Sequence, residues 1–135
     1  STAGGVFTDQ YMFRLAEVYL LRAEAYLKLG KKQEAANDIN VVRNRAHASN
    51  VSADKVDMDY ILDERLREFG IEERRRLTLS RTGMFYERVR NLNPYYNADF
   101  AANGKDFEET YTLYPIPQSV IEANKDVKLE QNPGY

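Results

Sequence analysis

Residues 12–46 read MFRLAEVYLLRAEAYLKLGKKQEAANDINVVRNRA. Met12, Leu15, Ala16, Tyr19, Ala23, Tyr26 and Leu27 recur at steps of three and four, the spacing that gathers side chains on one face of an α-helix. Asp9 is a candidate N-cap and Gly30 a C-terminal stop. A second helix is predicted over 32–45, with Ala35, Ile39, Val42 and Ala46 as its apolar stripe. The short Gly-Lys-Lys connection makes the two helices antiparallel neighbours.

The order of large, small, aromatic, glycine and alanine positions at Tyr19, Ala23, Tyr26, Gly30, Ala35, Ile39 and Val42 follows that of one tetratricopeptide unit. Any antiparallel helix hairpin is the competing reading. Small residues at Ala23 and Ala35 let the helices approach closely. A single such unit cannot bury its own apolar face, so a flank near Leu20 and Leu27 is expected to need cover from other helices or from a second copy.

Outward from the hairpin, residues 49–57 are polar and aperiodic and lead to an N-cap at Asp57 or Asp59. Met58, Ile61, Leu62, Leu66 and Phe69 mark a third helix. Gly70 should bend or break it, with the pattern ending by Gly83. Met84, Phe85, Val89 and Leu92 give a short fourth helix stopped by Asn93-Pro94. Residues 94–112 are rich in Asn, Tyr, Phe and Asp without a period. Residues 111–116 read as extended because Pro115 and Pro117 restrict their predecessors, and 118–124 admits one short helix. The expected fold is therefore all-α, a single domain over 1–135. It comprises a tetratricopeptide-like pair at 10–46, helices over 57–92, and an irregular aromatic and Pro-containing segment over 93–135 with one short helix. Leu113, Ile116, Val120 and Ile121 need cover, so the tail through Tyr135 should pack back on the helices.

Composition narrows the function. The chain has 135 residues, 43% of them hydrophobic, and nineteen Lys and Arg stand against twenty-one Asp and Glu. That balance lacks the one-sided positive field used by nucleic-acid binders. With no Cys, disulfides and thiolate metal sites are excluded. The apolar run at 16–21 is interrupted by Glu17 and followed by Arg22, too short for a bilayer core that demands about 20 apolar residues. The first residues show no basic-then-apolar leader.

Candidate chemistry is sparse. The only histidine, His47, has no patterned carboxylate or second histidine nearby and reads as a helix-end cation. Between Asp63 and Arg90 eight Arg face six acids. Asp63 with Arg67, Glu64 with Arg67 and Arg65 with Glu68 have the spacing of intrahelical ion pairs, so the run reads as a structural salt-bridge face. Asp63-Glu64 and Glu108-Glu109 are adjacent carboxylates that diverge on a helix. No phosphate loop, dinucleotide glycine pattern or nucleophile elbow occurs. Asn50-Val51-Ser52 fits a glycosylation acceptor, a pattern too short to inform. Tyr86, Tyr95, Tyr96, Phe100, Phe107, Tyr111 and Tyr114 are the densest aromatic collection. They either staple the irregular segment onto the helices or stack on sugar rings, with Asn neighbours offering hydrogen bonds. For the second role Tyr95, Tyr96 and Asn97 are the candidate ligand-binding residues.

Three segments together resemble the SusD/RagB family in its C-terminal portion. The first is 14–25 with 40–46, similar to the family's helix pair. The second is 61–68 with 72–83, similar to its Glu- and Arg-rich block. The third is Leu113-Tyr114-Pro115-Ile116-Pro117 with Asn124 and the closing Gln131-Asn132-Pro133-Gly134-Tyr135. Glu73 stands where many members have Gly and Thr78 where many have Asp, departures that bear on local packing. The resemblance implies part of a longer surface lipoprotein of the outer membrane, anchored by a lipid this chain lacks. It would bind a glycan, or a peptide, and present it to a SusC-like TonB-dependent transporter. The protein would bind without catalysing, with no cofactor and no metal. A helical scaffold for protein partners is the alternative. By this reading the isolated chain should hold glycan weakly, since most of the family's ligand loops lie in segments it lacks.

Overall fold

Gly30 divides the first helical pattern from the second, and the computed structural model, which describes residues 12–96 and 107–135, shows how. Helix α1 spans Leu15–Lys28 and α2 spans Lys32–Arg45. Gly30 takes φ +74°, so Lys31 N–H reaches back to Tyr26 O at 2.8 Å and Gly30 N–H to Leu27 O at 3.0 Å. These bonds satisfy carbonyls the helix end leaves open. The same pattern closes α2, where Ala48 N–H bonds Arg43 O and His47 N–H bonds Asn44 O. There His47 takes the left-handed turn at φ +56°. Besides standing at a helix end, the histidine occupies a position glycine fills at lower cost.

Helix α3, Met58–Phe69, starts on Asp57, whose carboxylate accepts from Tyr60 N–H at 2.7 Å. It stops at Gly70, and a 3-10 turn, Gly70–Glu72, follows. Helices α4, Arg75–Thr82, and α5, Phe85–Leu92, are separated by Gly83 in a left-handed turn. A 3-10 turn, Glu109–Thr112, precedes α6, Gln118–Ala123. All regular structure among the described residues is helical, as the spacing predicts. The chain divides into two compact units, Ser1–Glu73 and Arg74–Tyr135.

In the first unit α1, α2 and α3 enclose Leu20, Ala23, Ala35, Ala36, Ile39 and Ile61, with Val51 and Val56 added by the connecting loop. Ala23 and Ala35 are fully buried, as close helix approach requires. The loop is held by Asn40, whose carboxamide pairs with both backbone groups of Val51, at 2.9 and 2.8 Å.

The expectations for Met12, for the flank of α1 and for residues 111–112 are corrected. Met12 and Phe13 lie before α1 and are exposed. Arg14, the residue preceding the helix, has an extended backbone while its guanidinium reaches Glu68 and Glu72. The proposed cap at Asp9 lies outside the described residues. Leu20 is fully buried and Leu27 partly so, because α3 folds against α1. The apolar flank left exposed is instead Leu15, Val18 and Leu21 of α1 with Leu29 just after its end. Residues 111–112 belong to a 3-10 turn, in which Thr112 Oγ1 donates to Glu109 O. Proline constrains only the residue directly before it, and extended backbone begins at Leu113.

The charged block is the largest departure. Glu64 does pair with Arg67 within α3, but Arg43, Arg14 and Arg45 reach the acids of α3 from outside it. Glu64 takes Arg43 of α2 at 2.6 Å, and Glu68 takes Arg14 and Arg45. Arg65, 4% exposed, grips Glu73 through two bonds of 3.0 and 2.9 Å and touches Glu17 at 3.2 Å. The Arg14 and Arg65 guanidiniums both lie over the Phe69 ring, 4.9 and 5.2 Å from its centre. The hydrogen bonds that Arg14 donates to Glu72 and Glu68 raise its pKa.

Candidate functional site

Aromatics organise the second unit. Phe107 is buried at the centre, edge-on to Phe85 at 5.5 Å and Tyr111 at 5.6 Å, with Tyr86 stacked at 6.1 Å and Tyr96 tilted at 5.4 Å. Such pairs add about 0.5–1.5 kcal/mol each beyond area burial. They anchor a segment with little secondary structure. Arg76 of α4 lies between the Phe85 and Tyr114 rings, 4.6 and 4.2 Å from their centres, and donates to Tyr111 O.

The sequence candidates separate. Tyr96 is half-buried and its ring packs on Phe107, so it serves the cluster. Tyr95 is 68% exposed, with its N–H bound to Asn93 Oδ1 at 2.9 Å. Asn97 lies outside the described residues. Tyr114 is exposed as well, its ring braced by Arg76. Tyr95 and Tyr114 therefore both present solvent-exposed aromatic surface.

The tail is fixed by side chains that imitate peptide groups. Pro115 and Pro117 have no N–H, so this stretch cannot form a strand ladder. Gln131 supplies the pairing: its Oε1 accepts from Ile116 N–H at 2.7 Å and its Nε2 donates to Ile116 O at 2.9 Å. Asn132 Nδ2 donates to Tyr114 O, and Tyr135 Oη to Leu113 O. Gly134, at φ +91°, passes Thr110 so closely that a Cβ would sit 2.8 Å from the threonine Cβ. The tail thus packs on the extended segment as well as on the turn at Thr110.

In the first unit, a cleft of about 420 Å³ opens between the end of α2 and α3. Arg43, Tyr60, Glu64, Arg67 and Glu68 line it. Arg67 lies 5.6 Å over the Tyr60 ring. Tyr60 escapes sequence reading, since it belongs to neither the aromatic-rich segment nor a named motif. Its position seven residues before Arg67 on α3 is the signal that places the two on one face. No group of acids and histidines suited to a metal occurs among the described residues.

A helix hairpin carrying a braced third helix, followed by an aromatic unit closed by Pro-Ile-Pro and Gln-Asn-Pro-Gly-Tyr, places the chain in a family. The family model described as SusD family matches residues 1–135, and the chain belongs to that family. It is 41% identical over 128 residues to the Starch-binding protein SusD of Bacteroides thetaiotaomicron, a match covering 95% of this chain and 22% of that protein. It is 32% identical to the SusD-like protein P25 of Formosa agariphila, covering 94% of this chain and 25% of that protein. The solved structure of BT4246 matches with a TM-score of 0.68 and 26% identity, over 92% of this chain and 23% of that one. The chain thus spans about a quarter of the length of these relatives.

Proposed function

We propose that this chain is part of a glycan-binding protein of the outer-membrane surface, which captures oligosaccharide and passes it to a SusC-like TonB-dependent transporter. The observation that carries this reading is the 41% identity, over nearly the whole chain, to a protein named for binding starch. Exposed Tyr95 and Tyr114 support it, because a phenol ring is a flat apolar platform for the C–H face of a sugar. The role is binding and delivery, without catalysis. Anchoring would come from a lipid elsewhere in the longer protein.

Titration calorimetry of the chain against maltoheptaose tests the reading. Binding near or above about 1 mM is expected, only some 4 kcal/mol, since two tyrosines make a small platform. Tyr95→Ala should weaken it further. Complete indifference of the chain and of its longer parent to a glycan array would overturn the proposal. A helical scaffold for a protein partner is the second reading, favoured by the exposed Leu15, Val18, Leu21 and Leu29 stripe. It predicts capture of a helical partner that Val18→Glu abolishes.

A further inference from the structure

The cleft between α2 and α3 has a hydrogen-bonding inventory that the fold leaves unspent. Glu64 is 5% exposed, and its Oε2 accepts both from Arg43 Nη1 at 2.6 Å and from Arg67 Nη1 at 2.7 Å. Its Oε1 accepts no hydrogen bond among the described residues, yet it is not sealed from solvent. Arg67, half-exposed, commits one nitrogen to Glu64 and leaves Nε and Nη2 without a hydrogen bond among those residues. An open acceptor and open donors therefore sit on one ion pair, beside the aromatic ring of Tyr60.

The chemistry of that set selects a ligand class. Adjacent hydroxyls can satisfy it together, one donating to Glu64 Oε1 while its neighbour accepts from Arg67. Two arginines and two glutamates line the cleft, so its charge is near balance, and neither an anion nor an amine is favoured over a neutral polyol. The edge of the Tyr60 ring, whose face Arg67 overlies at 5.6 Å, adds an apolar wall beside the pair. A volume of about 420 Å³ falls within the range of small-molecule sites, about 300–1,000 Å³. We infer that this cleft is a saccharide subsite that holds one neutral sugar residue by a vicinal pair of hydroxyls, using Glu64, Arg67 and Tyr60. It rests on the glycan-binding reading and lies in a different unit from Tyr95 and Tyr114.

NMR of the labelled chain, titrated separately with maltoheptaose, cellohexaose, xylohexaose and mannohexaose, tests it. At least one oligomer should shift the Arg67 Nε–H and Tyr60 ring signals. Arg67→Gln, at a half-exposed position, should weaken that response about tenfold while the amide spectrum stays dispersed, and Tyr60→Leu should do the same. Shifts confined to residues 74–135 would overturn the subsite and leave the glycan-binding reading standing. No shift with any oligomer would overturn the subsite, and the glycan array on the longer parent then decides the glycan-binding reading. A response at Tyr60 that survives Arg67→Gln at full affinity would overturn the assignment of the ion pair. The wild-type titration decides the matter even if a variant fails to fold.

Discussion

Replacing Glu73 by alanine should be among the most destabilising single changes in the first unit. The Arg65 and Glu73 side chains are 5% and 2% exposed and meet through two bonds of 3.0 and 2.9 Å. Arg65 has little reserve, because its Nη1 is already buried without a hydrogen bond and its other partner, Glu17, stands at 3.2 Å. Glu73→Ala strands a buried guanidinium, a loss of about 3–5 kcal/mol. Domains of this size have only about 5–15 kcal/mol in total. Removing both charges is different. Arg65→Met with Glu73→Leu gives up the pair and the contact of Arg65 with Phe69, but it also removes the desolvation penalty. The double variant should lie within about 1–2 kcal/mol of wild type. Urea denaturation followed by circular dichroism reads both. A loss below about 1 kcal/mol for Glu73→Ala, or a double variant no more stable than the single one, would refute the reasoning. On this account Glu73 stabilises the chain so long as Arg65 is present.

Further outcomes follow from the turns, the tail and one aspartate. His47→Gly should raise stability by about 1 kcal/mol, because the left-handed turn strains any side chain; thermal denaturation checks it. Gln131→Leu leaves both backbone groups of Ile116 unpaired and should cost about 1–3 kcal/mol, seen as faster hydrogen exchange of the Ile116 amide. Gly134→Ala combines an unfavourable φ with a contact at 2.8 Å on Thr110, so the hydrogen bond from Tyr135 to Leu113 should weaken. Loss of Tyr135 line broadening contrast between free and packed states by NMR would show it, and an unchanged spectrum would contradict it. Ser52 hydrogen-bonds Asp54 and lowers its pKa. A carboxylate depressed in the folded state stabilises at pH above the unfolded aspartate value, about 3.9, and the contribution drains as pH falls through the folded value. Ser52→Ala should raise the Asp54 midpoint toward the ordinary value in an NMR titration.

The sequence by itself determined the helices, because their causes are local. Apolar residues at steps of three and four, Asp57 as a cap, and Gly30, Gly70 and Gly83 as stops act within a few residues of chain, so α2 falls on its predicted span and α3 ends at Gly70. The terminal motifs were legible as motifs, though their purpose was not. Nothing in the order of residues says that Gln131 pairs with Ile116, or that Asn40 holds Val51. Spacing suggested intrahelical pairs for the charged block, whereas the faces that meet in three dimensions gave Arg65 to Glu73 and Glu68 to Arg14 and Arg45. The aromatic segment hides the same ambiguity, since Tyr95 and Tyr96 are neighbours of identical type. Only the tertiary fold half-buries the Tyr96 ring on Phe107 while Tyr95 stays largely exposed. Helix periodicity is a property of nearest neighbours along the chain, while the partner of a charge or a ring depends on which surfaces the tertiary fold brings together.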